Sequence, residues 1–257
     1  MSSISIYFQP INSDLFENLH KETIGQSVLG HVDGSFPDWS ICDVVFFGVQ
    51  EDRASETNMG AAEGPNEIRR ELYRLFKHFD LEIADLGNIY QGASVQDTYK
   101  AVEDVVFELI KKNKTVVFLG GSRDLGFAAY KAYSKLEQTV NVCSVDSRLN
   151  MGAYSSEVNS GNYINHIILH EPNYLFNYST IGYQTYLVPP SEVALMDELY
   201  FDYHRLGEIQ ADIKKTEPLM RYADLVSINI NSVRFSELGL DREDASPNGL
   251  YGEQICQ

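Results

Sequence analysis

The chain has 257 residues, of which 44% are hydrophobic and 22% charged, a composition that suits one sizeable folded core and not a disordered tail. Its formal net charge of −17 sets it against phosphate backbones, so nucleic acid is excluded as an expected partner, and the acidic groups read as a solvated surface. The N-terminus lacks a basic stretch followed by an apolar one, and no apolar run reaches membrane length, so a cytoplasmic protein with no membrane span is expected.

The elements follow in chain order. Strands are predicted over 43–49 (DVVFFGV), 81–87 (LEIADLG), 115–121 (TVVFLGG), 139–146 (TVNVCSVD), 181–188 (IGYQTYLV) and 225–230 (LVSINI). Several are continuous apolar runs, as in strands buried on both faces of a parallel sheet. Between them, 64–79 reads as a helix with Pro65 in its first turn. A second helix covers 95–113, with Val95, Val102, Val105, Val106, Leu109 and Ile110 on one side. A third covers 191–201, with Ser191 as its N-cap. The acidic stretch 235–249 reads as a surface loop. This alternation predicts a doubly wound, mainly parallel α/β domain spanning 1–257, with 1–40 as an N-terminal extension.

Cys42, Cys143 and Cys256 lie far apart with no CxxC pair, which argues against disulfides and zinc. Cys143 reads as a buried thiol. His166 and His170 stand four apart, a metal-ligand spacing, but HIILH has no glutamate and reads as core packing.

In such sheets, sites form at the carboxyl ends of strands. Those ends carry FLGGSRD, SVDSRLN and LVSININ, with NSGNY between the last two and GVQEDRASETNMGAAEGPNEIRREL near the start. In this order, the motifs resemble those of the arginase/agmatinase/formimidoylglutamase (ureohydrolase) family, and the chain most resembles its formimidoylglutamase-like members. FLGGSRD stands where the family has GGDHS, SVDSRLN where it has DAHxD, and LVSININ where it has SxDxD.

The resemblance implies a three-layer αβα fold and, in active members, two manganese ions held by two histidines and four aspartates. Those metals lower the pKa of a bridging water that attacks an amidine or guanidine carbon. On this sequence the six ligand positions become Arg123, Asp146, Arg148, Asn150, Asn229 and Asn231, so only Asp146 is kept. A guanidinium has no acceptor and stays protonated, so it cannot ligate a metal. No metal or other cofactor and no catalytic residue are therefore expected. Instead, Arg123 or Arg148 is expected to pair with Asp146 or Asp124, the alternative being that the arginines point into solvent at the strand ends. Asp124, Ser160 and Asn162 are candidate ligand-binding residues.

The resemblance also implies further strands after LVSININ, one carrying a substrate-gripping glutamate. The expectation is that the C-terminal part of the sheet is missing and that strand 225–230 is covered by another chain, a swapped segment or a longer product. NGLYGEQICQ would then begin an interrupted helix with Ile255 and Cys256 facing apolar surroundings. Three functions follow as alternatives. The first is a catalytically inactive member with a binding, scaffolding or regulatory role, through a protein partner or homo-oligomer. The second is a metal-dependent hydrolase of linear amidines such as formiminoglutamate. The third is a sensor of a small carboxylate gripped by the arginines.

Overall fold

The computed structural model describes residues 4–55, 59–153, 155–238 and 246–257. Its contacts gather into two compact units, residues 1–136 and 137–257. Among the described residues, no helix is long and apolar enough to cross a membrane.

The first unit is built on β1 (Phe8–Gln9), β2 (Leu29–Gly30), β3 (Val44–Val49), β4 (Ile83–Ile89) and β5 (Thr115–Leu119). The order is β1-β4-β3-β5, with β2 also on β4. β2, β3 and β5 run parallel to their neighbours, and β1 is antiparallel to β4. β4 is buried at every position, so its apolar run is covered on both faces as the sequence predicts. Each fully buried Leu or Ile there contributes about 1.5–3 kcal/mol of transfer free energy.

The helix Val95–Ile110 packs along this unit, with Val102, Val105 and Leu109 fully buried. A capping box starts it: Asp97 N donates to Ser94 Oγ, and Ser94 N donates to the Asp97 carboxylate. The helix expected over 64–79 stops early, at Gly64–Leu72. Beyond it, Phe76 bridges to Thr23, and Tyr73 joins a core with Ile24, Val28, Phe46 and Ile83, so tertiary pairing overrides the helical pattern.

The second unit carries β6 (Val140–Val145), β7 (Leu175–Tyr183), β8 (Asp202–Arg205) and β9 (Leu225–Ile228), in the order β8-β7-β6-β9. All three pairings are parallel. Cys143 is fully buried with Val145, Ile181, Ile209 and Leu250. β7 starts six residues before the predicted strand 181–188, and Thr185–Leu187 is a 3-10 turn. The helix after it is Pro190–Glu198, so Ser191 lies in the first turn and is not the N-cap; Pro189 holds that position without a side-chain bond. The helix Tyr163–Ile168 ends before His170, so the two histidines do not share a helical face.

β9 lies at an edge. It pairs with β6, and no second strand joins it among the described residues. Val226, Ile228 and Ile230 are exposed there, where the family resemblance placed a strand inside the sheet. Part of the loop expected over 235–249 forms the short helix Phe235–Leu238, and 239–245 lie outside the described residues. The last helix is the single turn Gly252–Ile255. Ile255 and Cys256 are exposed, contrary to the apolar surroundings expected of them.

Candidate functional site

The strand-end positions fall in both units and are described unit by unit. In the first, the turn after β5 is shaped by Gly120 and Gly121, with φ of 70° and 77°. A Cβ on Gly121 would stand 2.3 Å from Leu125 Cδ1 and 2.9 Å from the Val49 carbonyl, so only glycine fits. This turn sets half-buried Arg123 and fully buried Asp124 ahead of the helix Leu125–Ser134.

Tyr99 Oη donates to Asp124 Oδ2 at 2.5 Å, while Oδ1 is buried with no hydrogen-bond partner among the described residues. Burial pushes the Asp124 carboxyl above the usual carboxylate range, and hydrogen bonds to the carboxylate only partly offset it. Beside this pair the sequence reading missed a second carboxylate. Glu51, fully buried after β3, accepts Arg53 Nε at 2.9 Å and Thr98 Oγ1 at 2.8 Å. Burial works against its ionisation, but the Arg53 fork holds its carboxyl below the ordinary value. The signal was present in GVQED, an acidic pair just past a strand end.

In the second unit, Asp146 directly follows β6 and is fully buried. Its Oδ1 accepts the Arg148 backbone N–H at 3.1 Å. Its Oδ2 accepts Asn150 Nδ2 at 3.0 Å. Asn150 is itself buried and has a φ of 58°, a left-handed conformation that asparagine tolerates. The Arg148 guanidinium is exposed and reaches instead to the Leu187 carbonyl, at 2.7 Å. Of the two outcomes expected for the arginines, Arg148 takes the outward one: it makes this backbone contact in place of an ion pair with Asp146, because the side chain points away from a tight turn.

Asn229 and Asn231 follow β9. Asn229 N continues the ladder to the Val145 carbonyl at 2.9 Å, one step past the Val145–Ile228 register pair. That puts Asn229 next to Asp146 across the strand ends. Asn229 Oδ1 accepts Asn231 N at 2.8 Å, capping the turn Ile230–Ser232. Ser160 and Asn162 are both buried in the loop before Tyr163. The Asn162 amide is occupied by that loop: Oδ1 accepts Asn159 N, and Nδ2 donates to Ser155 Oγ and the Glu157 carbonyl.

These residues do not fit a dimanganese centre. Asp146 already accepts N–H donors on both oxygens, Asn229 Oδ1 is engaged as a cap, and the arginines offer no lone pair. Among the described residues, no three of His, Cys, Asp and Glu gather as metal ligands do.

A sequence model of the Arginase family matches residues 42–227. A formimidoylglutamase of Lysinibacillus sphaericus is 27% identical over 157 residues, which are 59% of this chain and 48% of that protein. An agmatinase of Blochmanniella floridana is 30% identical over 117 residues, covering 41% of this chain and 39% of its own. The chain thus spans about half the length, or less, of these curated relatives. A Trypanosoma cruzi formiminoglutamase, solved with manganese, superposes with a TM-score of 0.73 at 18% identity, over 83% of this chain and 78% of that one, which shows a common fold. The family match covers well over half of the chain and includes the ends of β5 and β6 with Arg123, Asp146 and Arg148, and on that ground the chain belongs to the arginase family.

Proposed function

We propose that this chain is a catalytically inactive arginase-fold protein with a binding, scaffolding or regulatory role. The observation that carries the reading is the Asn150 amide donating to Asp146. In a metal centre that carboxylate gives its lone pairs to a cation; here a neutral amide and a backbone N–H donate to its two oxygens. Ser122 is engaged with the Glu51 carbonyl, and no hydrogen bond among the described residues joins it to a histidine. The exposed apolar edge formed by Val226, Ile228 and Ile230 supports a protein partner or a second copy. Sedimentation of the full chain is expected to show self-association that Ile228→Lys reverses; a monomer unchanged by the substitution would remove the second-copy reading.

The alternative, a hydrolase of linear amidines, is favoured by the names of the relatives, formimidoylglutamases and an agmatinase. The two readings part in one assay. Incubated with manganese and formiminoglutamate, agmatine, arginine or proclavaminate, the chain is expected to release no formamide, ammonia or urea above background. Release that disappears in Asp146→Ala would establish the hydrolase instead.

A further inference from the structure

The first unit contains a cavity of about 960 Å³ whose lining includes Phe8, His31, Phe36, Trp39, Tyr90 and Lys112. Its size is that of a small-molecule site. Phe8, His31, Phe36 and Trp39 all precede residue 42, where the family match begins, so the cavity is walled largely by the N-terminal segment and not by the inherited strand ends. We propose that it binds a flat aromatic carboxylic acid carrying a hydrogen-bond donor.

Three features fix that chemistry. The walls are aromatic and held in place: Phe36 lies against Phe8 with ring centroids 5.8 Å apart and meets the edge of His31 at 5.1 Å. Such walls take a flat ring on its faces or edges. His31 supplies an acceptor. Its Nδ1 faces the Leu86 carbonyl at 2.9 Å, so in the neutral ring Nδ1 carries the proton and Nε2 accepts. Among the described residues, Nε2 makes no hydrogen bond, so the ring, which lines the cavity, keeps an acceptor for a ligand's donor.

Lys112 supplies the charge. Its side chain is exposed at the end of the helix Val95–Ile110, and it forms no ion pair among the described residues. Asp38, the carboxylate of the lining, keeps its charge: Ser40 N–H and hydroxyl donate to Oδ1 at 3.2 and 2.6 Å, and the nearby cation that helps hold its pKa down is Lys114. Lys112 is therefore the cation of the lining left without an anionic partner among the described residues, and a carboxylate complements it.

The test is calorimetric titration of the full chain with 6-hydroxy-2-naphthoate and with the corresponding amide. Saturable binding of the acid is expected with a Kd below about 100 µM, and the amide is expected to bind about ten-fold more weakly. Lys112→Met should weaken the acid about ten-fold and leave the amide unchanged, while Lys111→Met, the adjacent exposed lysine, should change neither. Absence of saturable heat up to about 1 mM acid would overturn the proposal. So would equal binding of acid and amide, or a response to Lys111→Met equal to that of Lys112→Met.

Discussion

Replacing Arg69 with Met is expected to destabilise the fold by roughly 3–5 kcal/mol, because it strands the buried carboxylate of Asp85. Arg69 has no solvent-exposed surface, nor has Asp85. The guanidinium grips Asp85 through Nε at 2.7 Å and Nη2 at 2.8 Å. Nη1 reaches Asn88 Oδ1 at 2.6 Å, Nη2 reaches the Gly87 carbonyl at 3.0 Å, and Tyr73 Oη donates to Asp85 at 2.8 Å. Burial disfavours the arginine's charge, but Asp85 more than compensates and raises its pKa. The network ties the helix Gly64–Leu72 to β4. Gly48 is part of the same fit: a Cβ there would stand 1.9 Å from Asn88 Oδ1 and 3.0 Å from Arg69 Nη1. Since domains of this kind are stable by about 5–15 kcal/mol, the urea midpoint should fall far below that of the parent chain. The double substitution Arg69→Met/Asp85→Leu should recover much of the loss, because no charge is left unpaired. A loss under about 1 kcal/mol for the single change would show that the pair is not the tie described.

The second large effect concerns Asn150→Asp, which restores a carboxylate at an inherited ligand position. The donor 3.0 Å from Asp146 Oδ2 is replaced by an acceptor, and two buried carboxylates then face each other. Destabilisation of roughly 3–5 kcal/mol at neutral pH is expected. The pH dependence has a definite sign. The introduced repulsion raises the folded-state pKa of the carboxylate pair above the unfolded value. The loss is therefore full above that raised pKa and shrinks as pH falls towards the unfolded value of about 4. Added manganese is expected not to restore stability, because Arg123 and Arg148 occupy the histidine positions. A variant as stable as the parent would show that the two carboxylates do not face each other, and one rescued by manganese would show that the position still suits a metal.

The strands were legible because continuous apolar runs have few alternatives, and the boundaries of β3, β5 and β6 fall close to the expected ones. β8 (DYHR) was not legible, since it is short and polar and is held by pairing with β7. The start of β7 was hidden for the same reason, with Phe176 and Asn177 not buried. At the strand ends, the sequence identifies which residues replace metal ligands. It does not reveal that Asn150 turns left-handed and hands its amide to Asp146, because that bond depends on a backbone angle. Nor does it reveal that Arg148 points outward to Leu187. Glu51 and Tyr99 were missed although Arg53 stands two residues from Glu51, because Thr98 reaches Glu51 and Tyr99 reaches Asp124 only in the fold.

The central claim is that the strand ends satisfy themselves without metal. Calorimetric titration of manganese into the chelator-treated full chain, at neutral pH, tests it most directly. The expected result is no saturable binding and no rise in melting temperature up to about 1 mM metal. Two manganese ions per chain bound with a Kd near about 1 µM, with a matching thermal stabilisation, would contradict it.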